Sequence, residues 1–362
     1  MSIRRQAVQA KKYKCLFVMK RYFSLFILLG LCCALFAGCE QNKQQSRQEQ
    51  KKPSITLKQT PSFSADSAYA YIKAQVAFGP RTPGSAAHDA CGRWLYEKLQ
   101  NFGLQTQMQV FEAESFDGKT YIGRNIIASY RPDIQRRILL MAHWDTRAFA
   151  DKETADSLWR KPIDGANDGG SGVAVLLEVA RLLASHQPAV GVDIVLFDME
   201  DNGLPEFIDE FEGNPSVYWC QGSQYWAKNP HVPNYSAYYG ILLDMVGAQN
   251  ARFYKEPYSM EYAPQIVEKV WQIAQMMGYG HYFVNQKANM SFGGILDDHF
   301  YVNRDAKIPS IDIIDYQDGF GDYHHTLKDN LSIIDKNTLK AVGDVVLQVL
   351  YQEIVQEKNA QQ

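Results

Sequence analysis

Uninterrupted apolar runs that alternate with helical patterns are the feature that most limits the fold of this chain. Residues 137–142, 192–197 and 238–243 consist mainly of apolar side chains, which is typical of strands that are covered on both faces. Other segments, such as residues 171–185, repeat their apolar residues at helical spacing. The recurring order of strand, helix and strand predicts an α/β fold, with a central mixed, mostly parallel twisted sheet between two helical layers.

Local signals predict the remaining elements. Residues 105–111 and 121–130 are rich in β-forming side chains and flank Asp117-Gly118, which predicts a hairpin. A Ser cap followed by apolar residues at helical spacing predicts a helix. The further predicted elements are helices over residues 64–78, 85–102, 260–277 and 337–355 and a strand over residues 308–314.

The beginning of the chain has the pattern of an export signal. Lys20-Arg21 precedes an apolar run of ~16 residues, shorter than the ~20 residues that a membrane-spanning helix needs. The run ends at Gly38-Cys39, and residues 35–39 resemble a bacterial lipoprotein signal, in which the Cys becomes the lipidated first residue. We predict a signal peptide over residues 1–38, with Met19 as the alternative start, a flexible tether over residues 39–61 and a folded domain over residues 62–362.

This organisation predicts an exported protein. Lipid on Cys39 would hold it at the periplasmic side of a bacterial membrane, and an uncleaved anchor helix is the alternative. The formal net charge is -3, and the Lys and Arg residues are dispersed, so nucleic acid is not an expected partner. Beyond Cys39, the mature chain would keep Cys91 and Cys220, as one periplasmic disulfide or as two buried thiols. We expect a monomer.

Acidic and histidine residues follow several of the predicted strands. Loops at the carboxyl edge of an α/β sheet are where such folds build their sites, so these residues are expected to converge. Zinc binds imidazole nitrogen and carboxylate oxygen, and a catalytic zinc keeps one position open. Each residue alone is more often a capping or core group, but together they predict a zinc site. The residues are His143, Asp168, Glu200, Asp201, Asp244 and His325.

Two of these positions have a local context that favours chemistry. Asp168 lies in the Gly-rich segment 165–172, which leads into a helix whose N-terminus favours a carboxylate, although a plain N-cap turn is the alternative. Glu200 and Asp201 are adjacent carboxylates after a buried strand, which is unfavourable unless a metal or a proton neutralises one of them. One could bind metal while the other acts as a base. The remaining candidates are Asp297-Asp298-His299 and His324-His325.

Six short motifs resemble the zinc glutaminyl-peptide cyclotransferases, which are relatives of the M28 zinc aminopeptidases. The resemblance spans about residues 64–356 and implies a three-layer α/β/α fold like that of the zinc aminopeptidases. Residues 80–85 also resemble a turn of that family. The motifs, in chain order, are His143-Trp144-Asp145-Thr146, residues 167–172, Asp198-Met199-Glu200-Asp201, Leu243-Asp244-Met245, Asp297-Asp298-His299 and His325-Thr326.

Carried over position by position, the resemblance implies a single zinc ion. Asp168, Asp201 and His325 would hold it, and Glu200 would act as general base and acid. The implied reaction is the cyclisation of the N-terminal glutamine of peptides and proteins to pyroglutamate, with release of ammonia.

The resemblance also implies a network of carboxyl groups beside the base. Asp244 and Asp298 would belong to it, and such a cluster must share protons because close like charges cannot all ionise. Two positions depart from the animal enzymes: Asp201 stands where they have Glu, and His324 stands where they have Trp. The details of the pocket therefore differ from theirs.

Two other functions use the same residues. In a two-zinc aminopeptidase, His143 and Asp244 would bind a second metal beside Asp168, and Glu200 would activate water. A non-catalytic lipoprotein that binds peptides would have no need of a base, so the Glu at this position argues against it. Trp219 or Trp144 could supply an aromatic wall for the site, or either could belong to the core.

Overall fold

The computed structural model describes residues 56–290 and 293–353. The predicted signal peptide, Cys39 and most of the predicted tether lie outside the described residues. A compact unit begins at Leu57, which packs against the hydrophobic core. The backbone N–H of Lys58 donates to Gln352 Oε1 at 3.2 Å. Leu57 and Lys58, at the end of the predicted tether, therefore contact the folded domain.

A mixed sheet of six strands forms the centre of this unit. Its strand order is β1-β2-β4-β3-β5-β8; β3 is parallel to β4 and β5, and β5 is parallel to β8, whereas β2 is antiparallel to β1 and β4. The predicted mixed, mostly parallel sheet is therefore confirmed. The strands are β1 (Gln105–Glu114), β2 (Thr120–Tyr130), β3 (Arg137–His143), β4 (Gly191–Phe197), β5 (Tyr239–Asp244) and β8 (Ser310–Ile314), and a separate pair is formed by β6 (Phe253–Lys255) and β7 (Phe283–Lys287).

Helices cover both faces of the sheet. Along β3, Ile138 and Leu140 face a large core against α1, α2, α3, α6 and α8, whereas Leu139 and Met141 face a smaller core against α4 and α7. This alternation on a strand buried on both sides confirms the three-layer architecture. The helices are α1 (Ala65–Val76), α2 (Ala86–Asn101), α3 (Gly170–Ser185), α4 (Gln221–Lys228), α5 (Pro257–Tyr262), α6 (Pro264–Met276), α7 (Asp298–Arg304) and α8 (Lys336–Gln352).

The structure differs from the sequence prediction mainly at short elements. The single helix predicted over residues 260–277 is two helices, because Pro264 has no backbone N–H to continue α5 and instead begins α6. The helices α4 and α7 and the strands β6 and β7 are too short for a periodic pattern to reveal them. Among the described helices, none is long and apolar enough to cross a bilayer.

Candidate metal centre

The ends of three neighbouring parallel strands bring the predicted site residues together. His143 is the last residue of β3, and Asp244 is the last residue of β5. Glu200 and Asp201 follow β4, which ends at Phe197. Because parallel neighbours end at the same edge of a sheet, these side chains converge at one place.

The three side chains that were predicted to hold zinc converge. His325 Nε2 lies 3.1 Å from Asp201 Oδ1 and 3.9 Å from Asp168 Oδ2. Two ligands of a tetrahedral zinc ion, with bonds of about 2.0–2.1 Å, lie roughly 3.3 Å apart. Asp201 Oδ2 is buried and has no hydrogen-bond partner within the described part of the chain. The separations and this unpaired oxygen both fit a metal ion.

The protonation of these groups also fits a metal site. Burial lowers the pKa of His325 well below its usual value, and Arg147 lowers it further, so the ring is neutral and its nitrogen can act as a ligand. Burial, with the neighbouring charge of Asp201, raises the pKa of Asp168 to about 6, and burial raises that of Asp201 to about 6. A divalent cation would offset the cost of keeping both carboxylates ionised.

A second group of possible ligands shares Asp168. His143 Nε2 lies 2.9 Å from Asp168 Oδ1 and 3.1 Å from Asp244 Oδ1. Burial opposes a charge on this ring, but hydrogen bonds with Asp145, Asp168 and Asp244 hold the pKa of His143 well above its usual value. These are the residues that a two-zinc site would use for its second ion. The arrangement of ligand atoms is therefore compatible with one zinc ion or with two.

Glu200 lies beside both groups of ligands and lines the same cavity. Its Oε2 is 3.9 Å from His143 Nδ1, and its Oε1 is 3.3 Å from the Sγ of Cys220. Burial raises the pKa of Glu200 well above its usual value; Asp201 and other nearby carboxylates add to this, while His143 opposes it. A carboxyl group with a raised pKa in a cavity is suited to taking up and returning a proton.

Two neighbouring acids lie near Glu200 at different depths. Asp297 lines the cavity with Glu200 and Asp244, whereas Asp298, which is predicted to belong to the carboxyl network, is fully buried next to it. The charges of both raise the pKa of Glu200. Asp297 caps α7, with its Oδ1 accepting from the N–H of Asp298, and Asp298 is the first residue of the helix. The helix therefore begins one residue later than the acid that faces the cavity, which a sequence motif alone does not reveal.

Two buried aspartates accept hydrogen bonds from the backbone of the loops that carry the predicted zinc ligands. Asp145 accepts hydrogen bonds from the N–H groups of Glu200 and Asp201, both at 3.1 Å. Asp329 does the same for Asn167 and Asp168, at 2.7 and 3.1 Å. Asp145 lies in a motif that the sequence singled out, but Asp329 gave no signal, because its partners are more than 160 residues away.

Two buried arginines complete the frame of the site. Arg81 donates to the carbonyl oxygens of Trp144, Asp164 and Gly165 at 2.6–3.2 Å, so residues 80–85 support the loop that carries Asp168. Arg147 donates to the carbonyl oxygen of Asp201 at 3.1 Å and pairs with Asp151. These hydrogen bonds hold in place the loops that carry Asp168 and Asp201.

Several residues next to the site have a left-handed backbone. This conformation costs a non-glycine residue about 1–2 kcal/mol, and it is common at functional sites. The residues are Met199 (φ 62°), which precedes Glu200, Met245 (φ 49°), which follows Asp244, Cys220 (φ 53°) and His325 itself (φ 55°).

A cavity of about 600 Å³ opens onto these residues. Trp219 lines it and stacks on His325, with ring centroids 5.9 Å apart and planes at 6°. Trp144 is fully buried and stacks on His88 in the core, so Trp219, and not Trp144, supplies an aromatic wall of the cavity. His324 also lines the cavity. The apolar residues that line the cavity include Met245, Met290, Ile295, Ile314, Tyr316 and Phe320.

A buried chain of ionisable groups lies behind Asp297. His299 Nδ1 faces Asp312 Oδ2 at 3.9 Å, and its Nε2 is 3.0 Å from Glu256 Oε2. Burial alone would raise the pKa of Glu256, but His299 and the N–H of Ser259 hold it at about 2. Burial and Asp297 raise the pKa of Asp312 well above its usual value. Glu256 is thus the ionised end of this chain.

The chain is similar to known proteins in both sequence and structure. The sequence profile of peptidase family M28 matches residues 125–350. A solved structure of Bacteroides thetaiotaomicron glutaminyl cyclase, bound to N-acetylhistamine, is 49% identical, covers 82% of this chain and 100% of that chain, and has a TM-score of 0.78. A Zn-dependent exopeptidase from Parabacteroides distasonis is 50% identical, with coverages of 82% and 100% and a TM-score of 0.78.

A more distant relative comes from an animal. The glutaminyl-peptide cyclotransferase of Drosophila melanogaster is 25% identical over 281 residues, which is 72% of this chain and 73% of that protein. The match to a zinc-dependent neighbour agrees with the nitrogen and oxygen donors of the site, so zinc is the metal that the site fits.

Proposed function

This chain belongs to peptidase family M28, and we propose that it is a glutaminyl-peptide cyclotransferase, which converts the N-terminal glutamine of peptides and proteins to pyroglutamate with release of ammonia. The observation that carries this assignment is the match to glutaminyl cyclases along the whole length of their solved structures. The geometry supports it, because one carboxyl group with a raised pKa lies beside a metal-binding group in a cavity with an aromatic wall.

One zinc ion per chain is part of the proposal. Asp168, Asp201 and His325 would hold it, supported by the separations around His325 Nε2 and by the unpaired Asp201 Oδ2. When bound, zinc supplies a Lewis acid that polarises the side-chain carboxamide of the substrate.

The chain's own groups would move the proton. Glu200 takes a proton from the α-amine of the substrate as the nitrogen attacks the side-chain carboxamide carbon, and the new C–N bond closes the lactam ring. Glu200 then returns that proton to the departing nitrogen, which leaves as ammonia. Neither water nor a redox partner is consumed. Asp244 and Asp297 line the cavity with Glu200, and the charge of Asp298 also raises the pKa of Glu200, so these three acids would form the carboxyl network that shares its protons.

The cavity would help mainly by restricting the substrate. Cyclisation requires the amine and the carboxamide of one residue to meet, and holding a flexible chain in that conformation removes an entropic part of the barrier. Trp219, on one wall, is fixed by its stack on His325 and by the guanidinium of Arg147 at 4.7 Å. A rigid aromatic wall is suited to this role.

Anchoring to a membrane is also part of the proposal. The signal pattern over residues 1–38 supports export and lipid attachment at Cys39, with the folded domain on the periplasmic side of the membrane. Mass spectrometry of the mature N-terminal peptide would find a lipid-modified Cys39. An unmodified peptide that begins elsewhere would contradict this part of the proposal.

A two-zinc aminopeptidase is the second candidate. The observation that favours it is the contact of His143 with Asp168 and Asp244, at distances that also suit a shared second metal. The Parabacteroides distasonis relative is named as an exopeptidase. In this alternative, Glu200 would activate a water molecule.

One experiment separates the two candidates. The purified zinc-loaded protein is incubated with a peptide that begins with Gln and with the same peptide beginning with Leu. The cyclotransferase releases ammonia from the first and leaves the second intact. Release of free leucine from the second, without ammonia from the first, would instead establish the aminopeptidase.

A further inference from the structure

A buried thiol faces the carboxyl group of Glu200. The Sγ of Cys220 is 3.3 Å from Glu200 Oε1, and its next polar neighbour, the carbonyl oxygen of Leu296, is at 3.8 Å. Cys220 is fully buried, so solvent does not reach the thiol, whereas the Glu200 side chain keeps 12% of its surface exposed. Neither the zinc ligands nor the proton transfer described above uses the thiol.

The thiol is the donor of this hydrogen bond. Burial raises the pKa of Cys220 well above its usual value, and the charge of Glu200 raises it further, so the sulfur keeps its proton. A carboxylate only accepts, and a protonated carboxyl group still has a free oxygen lone pair. The contact therefore persists in both protonation states of Glu200 that the reaction needs.

The backbone around Cys220 aims the thiol at this position. The N–H of Cys220 donates to the carbonyl oxygen of Glu200 at 3.0 Å, and the N–H of Gln221 donates to that of Met199, also at 3.0 Å. Cys220 precedes α4 and has a left-handed backbone (φ 53°), which a non-glycine residue adopts only when its surroundings impose it. The first turn of α4 is thereby tied to the segment that carries the base.

We infer that Cys220 is a positioning residue for the proposed reaction: its thiol holds the carboxyl group of Glu200 in the orientation that reaches the substrate nitrogen. This inference rests on the proposed function. The terminal torsion of a Glu side chain is broad, so a carboxyl group without such a partner turns freely. The two proton transfers slow down when the orientation of the carboxyl group that accepts and returns the proton is not fixed.

The test uses two substitutions at this position and one matched control. Cys220→Ala removes the donor, and Cys220→Ser replaces it with a hydroxyl donor. With the Gln-initiated peptide, we expect kcat to fall about 10-fold in the Ala variant and to stay within about 3-fold of wild type in the Ser variant, while KM changes less than about 2-fold in both. Cys91→Ala removes a second buried thiol of the described residues, which lies in the core within α2, and should leave kcat unchanged.

The relative kcat values of the Ala and Ser variants distinguish a positioning role of Cys220 from a packing role. If Cys220 only filled space, the buried hydroxyl of Ser would be at least as harmful as Ala, so a Ser variant no better than Ala would overturn the inference. Wild-type turnover in Cys220→Ala would overturn it as well. A wild-type protein that releases no ammonia would refute the proposed function itself, which is a different outcome.

An infrared measurement tests the contact without any change at Cys220. The S–H stretching band of Cys220, identified in Cys91→Ala protein, should move to higher frequency when Glu200→Ala removes the acceptor. A band that does not move would overturn the inference even if the Cys220 variants failed to fold. Melting temperature and zinc content, measured for every variant, show whether a loss of rate reflects unfolding or loss of metal.

Discussion

Replacing Glu200 by Gln removes the proposed base with little change in shape. The amide still accepts from the thiol of Cys220, and the backbone N–H of residue 200 still donates to Asp145. The zinc ligands are unchanged. Because burial raises the pKa of Glu200, a neutral amide in its place should not lower the melting temperature.

The expected loss of rate follows from the role of the residue. One positioned acid or base typically contributes about 10²–10⁴-fold to the rate, and Glu200 would serve both proton transfers. We therefore expect kcat for ammonia release to fall about 10³-fold or more, with about one zinc retained per chain. The assay is steady-state ammonia release, with metal analysis of the same sample.

A matched control uses the same chemical change on the surface. Glu268 pairs with Lys255 at 2.6 Å, its side chain is 58% exposed, and it does not line the cavity, so Glu268→Gln should leave the activity unchanged. If Glu200→Gln kept the activity of the Glu268→Gln control, the assignment of the base would be wrong.

Three further predictions concern the metal and the fold. Asp201→Asn should reduce bound zinc to below about a tenth of an equivalent, measured by elemental analysis after dialysis, because it weakens a charged ligand of the ion; full occupancy would exclude Asp201 from the ligand set. Zinc affinity, measured by chelator competition, should fall about 10-fold or more per unit below pH 6, because protons then compete for Asp168 and Asp201, whose pKa values are about 6 without metal; equal affinity at pH 5 and pH 7 would contradict this. The pKa of Glu256 is about 2 in the folded protein and about 4.3 in the unfolded chain. Its ionisation therefore stabilises the folded protein above pH 4.3 by on the order of 2–3 kcal/mol, and this stabilisation is lost as the pH falls toward 2. Urea unfolding should accordingly find Glu256→Gln destabilised at pH 7, by an amount that shrinks below pH 4; a difference that does not depend on pH would refute the assigned pKa.

The central sheet and the convergence of its strand ends could be predicted from the sequence. Continuous apolar runs identify β3, β4 and β5, and parallel strands end on the same side of a sheet, so His143, Asp201 and Asp244 were expected on one side. The strand order that makes β3 the neighbour of both β4 and β5 comes from the structure. His325 was a candidate from the sequence, but only the resemblance gave it the role of a zinc ligand, because it lies in a loop that no periodic pattern locates.

Other parts of the site depend on conformations that side-chain patterns do not encode. Asp297 faces the cavity, and Asp298 does not, because α7 begins between them. The thiol of Cys220 reaches Glu200 through a left-handed backbone at the start of an eight-residue helix. Asp329 acts on a loop far away in sequence. These features arise from tertiary packing between segments that are distant in the sequence.

The proposed glutamine cyclisation requires one metal ion per chain. Stepwise addition of zinc to the metal-free protein, with ammonia release from a Gln-initiated peptide followed at each step, tests this most directly. We predict that activity rises linearly and reaches its plateau at one equivalent of zinc per chain. No ammonia at any zinc level, together with release of free leucine from a Leu-initiated peptide that grows up to two equivalents, would contradict it.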